Sequence, residues 1–248
     1  MALFTEEEKT LRRIEKRFAK GVVEYGLIEE GDKILIGLSG GKDSLALVEL
    51  LARRSRILKP RFSVVAAHVV MRNISYQSDT DYLRSYAELQ GVPFVLYETE
   101  FDASTDTRKS PCFLCSWNRR KALFTVAKEQ GCNKIALGHH MDDILETLLM
   151  NVTYQGAFST MPPRLVMKKF DMTIIRPRIR FGGIGGDKDY RKQVKNCPYE
   201  SQSSRNAMKG ILHRLEEMNP EARYSLWGSM SNVQEELLPR KNEGGTSR

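Results

Sequence analysis

The chain has 248 residues, 41% apolar and 28% charged, an ordinary composition for one large folded domain or one domain with terminal additions. No run approaches the ~20 consecutive apolar residues of a membrane span, and the start, Met1-Ala-Leu-Phe-Thr-Glu-Glu-Glu8, lacks the cationic lead of a secretory signal, so a cytoplasmic protein with no membrane partner is expected. Lysine and arginine total 39 against 31 acids, a net charge of +8, which for a nucleotide enzyme points to a polyanionic partner, nucleic acid first.

Residues 6–30 carry Leu11, Ile14, Phe18, Val22 and Val23 at helical spacing, with Gly26 near the end of the pattern. The same stretch holds the first basic cluster, Lys9 to Lys20. Strand and helix patterns then alternate. Strands are predicted at Lys33–Leu38, Phe62–Val70, Pro93–Tyr97, Asn133–Leu137 and Met172–Ile175. Helices are predicted at Ser44–Arg54, Ser78–Gln90, Ser116–Gln130 and Asp142–Tyr154, with Ser78 and Asp79 as caps and Gly91 and Gly131 as terminators. The alternation implies an α/β fold, an open parallel sheet with helices on both faces and right-handed crossovers. Ligands on such sheets bind beyond the carboxyl ends of the strands, which puts the loops after residues 38, 70, 98 and 138 in view. After Arg176-Pro177 comes a glycine-rich connector, Phe181-Gly-Gly-Ile-Gly-Gly186, then two helices within 202–238 separated near Pro220, then a tail. The division expected is an N-terminal helical segment (1–30), a nucleotide-binding domain (31–178) and a connector with helical segment (179–248).

The turn Gly37-Leu-Ser-Gly-Gly-Lys-Asp-Ser44 between strand and helix is a ready anion site. Backbone N–H groups and a helix N-terminus face the ligand, and Gly40 and Gly41 admit a phosphate close to the chain. Lys42 adds a mobile cation, and Ser39 and Ser44 add hydroxyl donors. It is not a Walker A loop, because Ile36 and Asp43 stand where that pattern needs glycine and Ser/Thr. A carboxylate in a phosphate cradle requires an intervening cation, so the expectation is ATP with Mg²⁺ on Asp43. The competing reading is a structural glycine turn.

Cys112-Phe-Leu-Cys115 opens a helix at the same edge, flanked by the second basic cluster, Arg108 to Lys121. Cys132 precedes its strand and so sits roughly 20 Å from that edge, as a buried structural thiol. Cys197 follows the connector and can return to the edge. Three thiolates suit a [4Fe–4S] cluster with one open iron and are one short of a closed zinc site, and spacing leaves cluster, zinc and redox dithiol all open. In Gly138-His-His-Met-Asp-Asp143, one aspartate is expected to cap the following helix. The other, assigned as Asp143, faces the nucleotide and shares Mg²⁺ with Asp43, while His139 and His140 are not assigned as ligands.

Ser39–Ser44 resembles the signature of the PP-loop ATP pyrophosphatases, which implies adenylation of a carbonyl oxygen rather than phosphoryl transfer. The ordered set Gly31-Asp32 through Ser44, Cys112-x-x-Cys115 with Arg119-Arg120, Gly138–Asp143, Met161-Pro-Pro163, Arg176-Pro177 and Cys197-Pro198 is similar, over about residues 9–238, to the tRNA 2-thiocytidine synthetase family. Departures are the glycines at 182–186, where the family has an acidic helix start, and Glu200, where some relatives have a further cysteine.

The resemblance implies a tRNA sulfurtransferase that adenylates C2 of a cytidine, position 32 of the anticodon loop, and replaces oxygen by sulfur. It implies a [4Fe–4S] cluster on Cys112, Cys115 and Cys197, a sulfur donor (a cysteine desulfurase or sulfide) and a homodimer. ATP would lie on Leu38–Ser44 and Gly138, with adenine near His68 and Val69; Lys42, Asp43 and Asp143 would act on the phosphates, and Cys112 and Cys115 would be catalytic. Two alternatives are a lysidine-synthetase-like ligase with zinc or no metal at the cysteines and a non-catalytic, nucleotide-dependent RNA-binding module.

Overall fold

Apolar runs of four to six residues, separated by amphipathic stretches, fold as strands covered by helices. The computed structural model describes residues 5–74, 78–102, 104, 111–178, 190–191 and 204–239. In chain order the elements are α1 (Glu6–Glu24), β1 (Lys33–Gly37), α2 (Lys42–Ser55), β2 (Ser63–Met71), α3 (Thr80–Leu89), β3 (Phe94–Thr99) and α4 (Pro111–Glu129). They continue with β4 (Lys134–Ala136), α5 (Met141–Met150), β5 (Arg164–Met167), β6 (Met172–Ile175), α6 (Ser204–Met218) and α7 (Ala222–Ser229).

The strands form one sheet in the order β3-β2-β1-β4-β6-β5. All pairings are parallel except β5 with β6, so the expected parallel sheet gains one antiparallel edge strand. The chain steps from β1 outward through β2 to β3, then crosses back to place β4 on the other side of β1. That reversal creates a crevice at the carboxyl ends of β1 and β4.

Alternation along β1 sorts its side chains between two cores. Ile34 and Ile36 pack with Ile14 and Phe18 of α1, Leu47 and Leu51 of α2 and Leu83 of α3. Leu35 packs on the opposite face with Val65, Ala67 and the α4 residues Val126 and Ala127. Cys132 is buried in this second cluster, and burial pushes its thiol pKa up, as suits a structural thiol. At the amino edge, buried Lys134 ties β4 to the approach to β1 through Asp32 Oδ2 at 2.7 Å and Glu29 Oε2 at 2.6 Å.

Helix α1 starts on a Thr5–Glu8 capping box and stops at Glu24 rather than 30, because Gly26 turns the chain left-handed at φ 56°. Helix α4 starts at Pro111, five residues before the sequence boundary, since proline suits a first helical turn. After α5 the chain continues through one π-helical turn, Asn151–Gln155, ended by Gly156 at φ 61°.

Candidate nucleotide and sulfur site

β1 carries the chain to the middle of the carboxyl edge, where residues 38–41 turn into α2. Gly40 takes φ 82°, a conformation costly for any side chain. Ser44 clips the turn shut: its hydroxyl donates to the Gly41 carbonyl at 2.8 Å and accepts from Ser39 N–H at 3.1 Å. Ser39 Oγ lies 3.2 Å from Ser44 Oγ, so Ser44, buried, braces the loop instead of offering the open donor expected from the sequence. His68 braces it from β2, with Nδ1 2.6 Å from the Leu38 carbonyl and Nε2 2.8 Å from Ser78 Oγ. A carbonyl only accepts, so Nδ1 carries the proton and Nε2 accepts from Ser78.

A cleft of about 410 Å³ opens over this turn. Leu38, Ser39, Gly41, Asp43, Ser44, His68, Val69, Gly138 and Asp143 line it, joined by Gly37, Ala67, Arg119, Leu123, Leu137 and His139. Gly40 and Lys42 belong to the same turn without being part of the lining. Gly138, which lines the cleft, also lets α2 pack close: a Cβ there would meet the Asp43 carbonyl carbon and oxygen at 3.2 Å and Ser44 N at 3.3 Å.

The charges interlock. Arg178, fully buried just beyond β6, donates from Nη1 to Asp43 Oδ1 at 2.7 Å. The cation beside Asp43 that the sequence reading assigned to Mg²⁺ alone is thus partly supplied by the protein. The signal for it was the second arginine of Arg176-Pro-Arg178, at the end of a strand that shares the reactive edge. Asp143 is the capping aspartate, its Oδ2 accepting from His140 N–H at 3.0 Å, while Asp142 pairs with Arg223 of α7. Asp143 therefore lines the cleft as expected and also does the capping expected of its neighbour. Oδ2 of Asp43 and Oδ2 of Asp143 face one point, His140 Nε2, at 3.9 and 3.6 Å. Burial pushes the His139 imidazole pKa down to about 4; the charges of Arg176, Arg205 and Arg120 act in the same direction and Asp143 opposes them. His139 is therefore neutral at neutral pH.

Cys115, on the first turns of α4, is partly exposed and packs against an apolar cluster that includes Val69 and against which Leu123 also packs; Val69 and Leu123 both line the cleft. The side chain of Cys112 and the whole of Cys197 lie outside the described residues. Among the described residues, no group of three His, Cys, Asp or Glu side chains is poised to hold a metal.

Residues 7–182 match the PP-loop domain family. The chain is 35% identical over 240 residues to a tRNA-cytidine(32) 2-sulfurtransferase of Syntrophotalea carbinolica, covering 92% of each chain. It is 32% identical over 238 residues to the protein of that name from Geobacter sulfurreducens, again covering 92% of each. Among solved structures, the U34-tRNA thiolase NcsA from Methanococcus maripaludis, with its [4Fe-4S] cluster, shares the fold at a TM-score of 0.73 and 22% identity, over 95% of this chain and 82% of that one. With its glycine turn, Asp43, Gly138–Asp143 and Cys115 gathered at one sheet edge, the chain belongs to the tRNA-cytidine(32) 2-sulfurtransferase family of PP-loop proteins.

Proposed function

We propose that the protein is an ATP-dependent tRNA sulfurtransferase that converts cytidine 32 to 2-thiocytidine. The observation that carries the reading is a shared apolar cluster: Val69 belongs to it, Leu123 and Cys115 both pack against it, and Val69 and Leu123 also line the nucleotide cleft, so activation and sulfur delivery would meet at one edge.

ATP sits with its phosphates on the N–H groups of residues 39–42 and the α2 N-terminus, where Lys42 adds charge and Gly41 leaves the approach open. Adenine lies toward His68 and Val69. Asp43 and Asp143 would hold a divalent cation such as Mg²⁺, which would offset the charge developing on the phosphates. The cytidine leaves its stack to enter the cleft. Its C2 oxygen attacks the α-phosphate, an O–P bond forms as the α–β bridging bond breaks, and pyrophosphate departs with the electron pair. Neutral His139 adds no charge to compete with the metal. AMP is then displaced at C2 by sulfur.

Partly exposed Cys115 at the opening of α4 fits a ligand role, and Cys112, Cys115 and Cys197 would hold a [4Fe–4S] cluster, which supplies an iron site for exogenous sulfur. The sulfur comes from a cysteine desulfurase or sulfide. The test is anaerobic reconstitution with iron and sulfide, followed by incubation with tRNA, ATP and Mg²⁺. Pyrophosphate release that depends on tRNA, with 2-thiocytidine in the digested nucleosides, is the expected result. Pyrophosphate release without thiolated cytidine would favour a PP-loop ligase instead.

A further inference from the structure

Arg176 follows β6 at the carboxyl edge, one strand beyond β4, and only 5% of it is exposed. Its Nη1 donates to the Pro162 carbonyl at 2.6 Å, but Nε is buried with no acceptor. Among the described residues no carboxylate pairs with it. Burial, and after it the neighbouring charge of Arg120, lower its pKa to about 10, which leaves it cationic at neutral pH. A buried guanidinium facing a second cation is unfavourable unless an anion completes the site.

The surroundings say what kind of anion. Arg120 is exposed on α4. Arg205 of α6, 45% exposed, reaches Asp143 Oδ1 at 3.7 Å and Glu146 Oε2 at 3.4 Å. All three arginines lie close enough to His139, a lining residue of the cleft, for their charge to act on it against that of Asp143, and Arg120 and Arg205 are solvent-exposed, so the cluster leads from the cleft wall to the surface. The triphosphate has its own cradle at the α2 N-terminus. A charge path that continues outward suits a polymeric anion, and the planar guanidinium fork matches phosphate oxygens.

We propose that Arg176, with Arg120 and Arg205 at the rim, receives a backbone phosphodiester of the RNA strand beside the nucleotide that enters the cleft. This rests on the RNA-modifying reading above.

The test measures binding of a tRNA anticodon stem-loop by fluorescence anisotropy across a salt series, with ATP affinity measured in parallel. The variants are Arg120→Ala, Arg120→Lys and Arg176→Met, each checked for folding by circular dichroism. Arg120→Ala and Arg176→Met are each expected to weaken RNA binding about tenfold and to flatten the slope of log K against log salt by nearly one phosphate, with ATP affinity unchanged. Arg120→Lys should restore most of the affinity, and because Arg120 is exposed, its variants test the site even if Arg176→Met fails to fold. Unchanged RNA affinity and slope in folded variants would leave Arg176 as an internal strut and overturn the proposal. So would a loss of ATP affinity with RNA binding intact, which would make the anion a nucleotide phosphate. Wild-type protein that binds no RNA would instead defeat the underlying functional reading.

Discussion

Asp43 and Arg178 stand 135 positions apart in the chain, yet their carboxylate and guanidinium meet at 2.7 Å. Local pattern marks Asp43, because a carboxylate inside a glycine turn is chemically odd, but no local pattern names its partner. Asp43→Asn removes the negative charge that pairs with the buried Arg178 guanidinium and, on the proposed function, an oxygen that would hold the cation. It should cost on the order of 3 kcal/mol in denaturant unfolding and reduce tRNA-dependent pyrophosphate release by at least a hundredfold. Retained stability would mean that the ion pair contributes little to the fold. His139 carries a pH signature. Its folded pKa, about 4, lies below its ordinary value of 6.5, so the unfolded chain takes up the proton first as pH falls. Stability present above pH 6.5 should therefore be lost progressively toward pH 4, by about 3 kcal/mol in all. His139→Gln should flatten that part of the unfolding-versus-pH curve, and an unaltered curve would assign the acid sensitivity to other groups.

At the scale of elements, the glycine turn, the α/β alternation, the Asp79 cap of α3 and the glycine terminators after α3 and α4 could all be read from residues close together in sequence. Strand β5 could not. Arg164, Leu165 and Val166 are exposed at the sheet edge, so the run has no buried face to betray it, and Asp171 at φ 48° makes the turn into β6 without glycine. Which aspartate of α5 does the capping is hidden from local sequence for a similar reason. Which one caps depends on His140 being the N-cap residue, and that is settled by where β4 lets the chain go. Gly138 shows the same dependence on packing between elements. Gly138→Ala forces the β4–α5 loop away from the first turn of α2. The expected effects are about 1–3 kcal/mol of destabilisation and weaker ATP binding by titration calorimetry. Unchanged ATP affinity would show that the loop yields without moving α2.

For the whole molecule, the topology separates Cys115 and Cys132, the two cysteines whose side chains are described. Cys132 packs in the core beneath α4, whereas partly exposed Cys115 packs against the cluster that also holds the cleft residue Val69. Cys115→Ser should abolish thiolation and lower the iron content of anaerobically reconstituted protein while sparing ATP binding. Cys132→Ser should retain iron and activity and lose about 1–2 kcal/mol of stability, through a buried hydroxyl in an apolar cluster. Iron loss in Cys132→Ser alone would exchange the two roles.

Helix α2 does more than begin at the glycine turn. Arg178 attaches to its first turn through Asp43, and buried Tyr190 donates to Glu49 Oε2 at 2.7 Å farther along it. Arg191 then lies over the Tyr82 ring at 4.8 Å and bonds Asp79 Oδ2 at 3.2 Å. Arg178 and Tyr190 are therefore both fastened to the helix that opens with Lys42. One helix is thus the common anchor for two points of the chain twelve positions apart, so a change at the turn that starts it is felt at both.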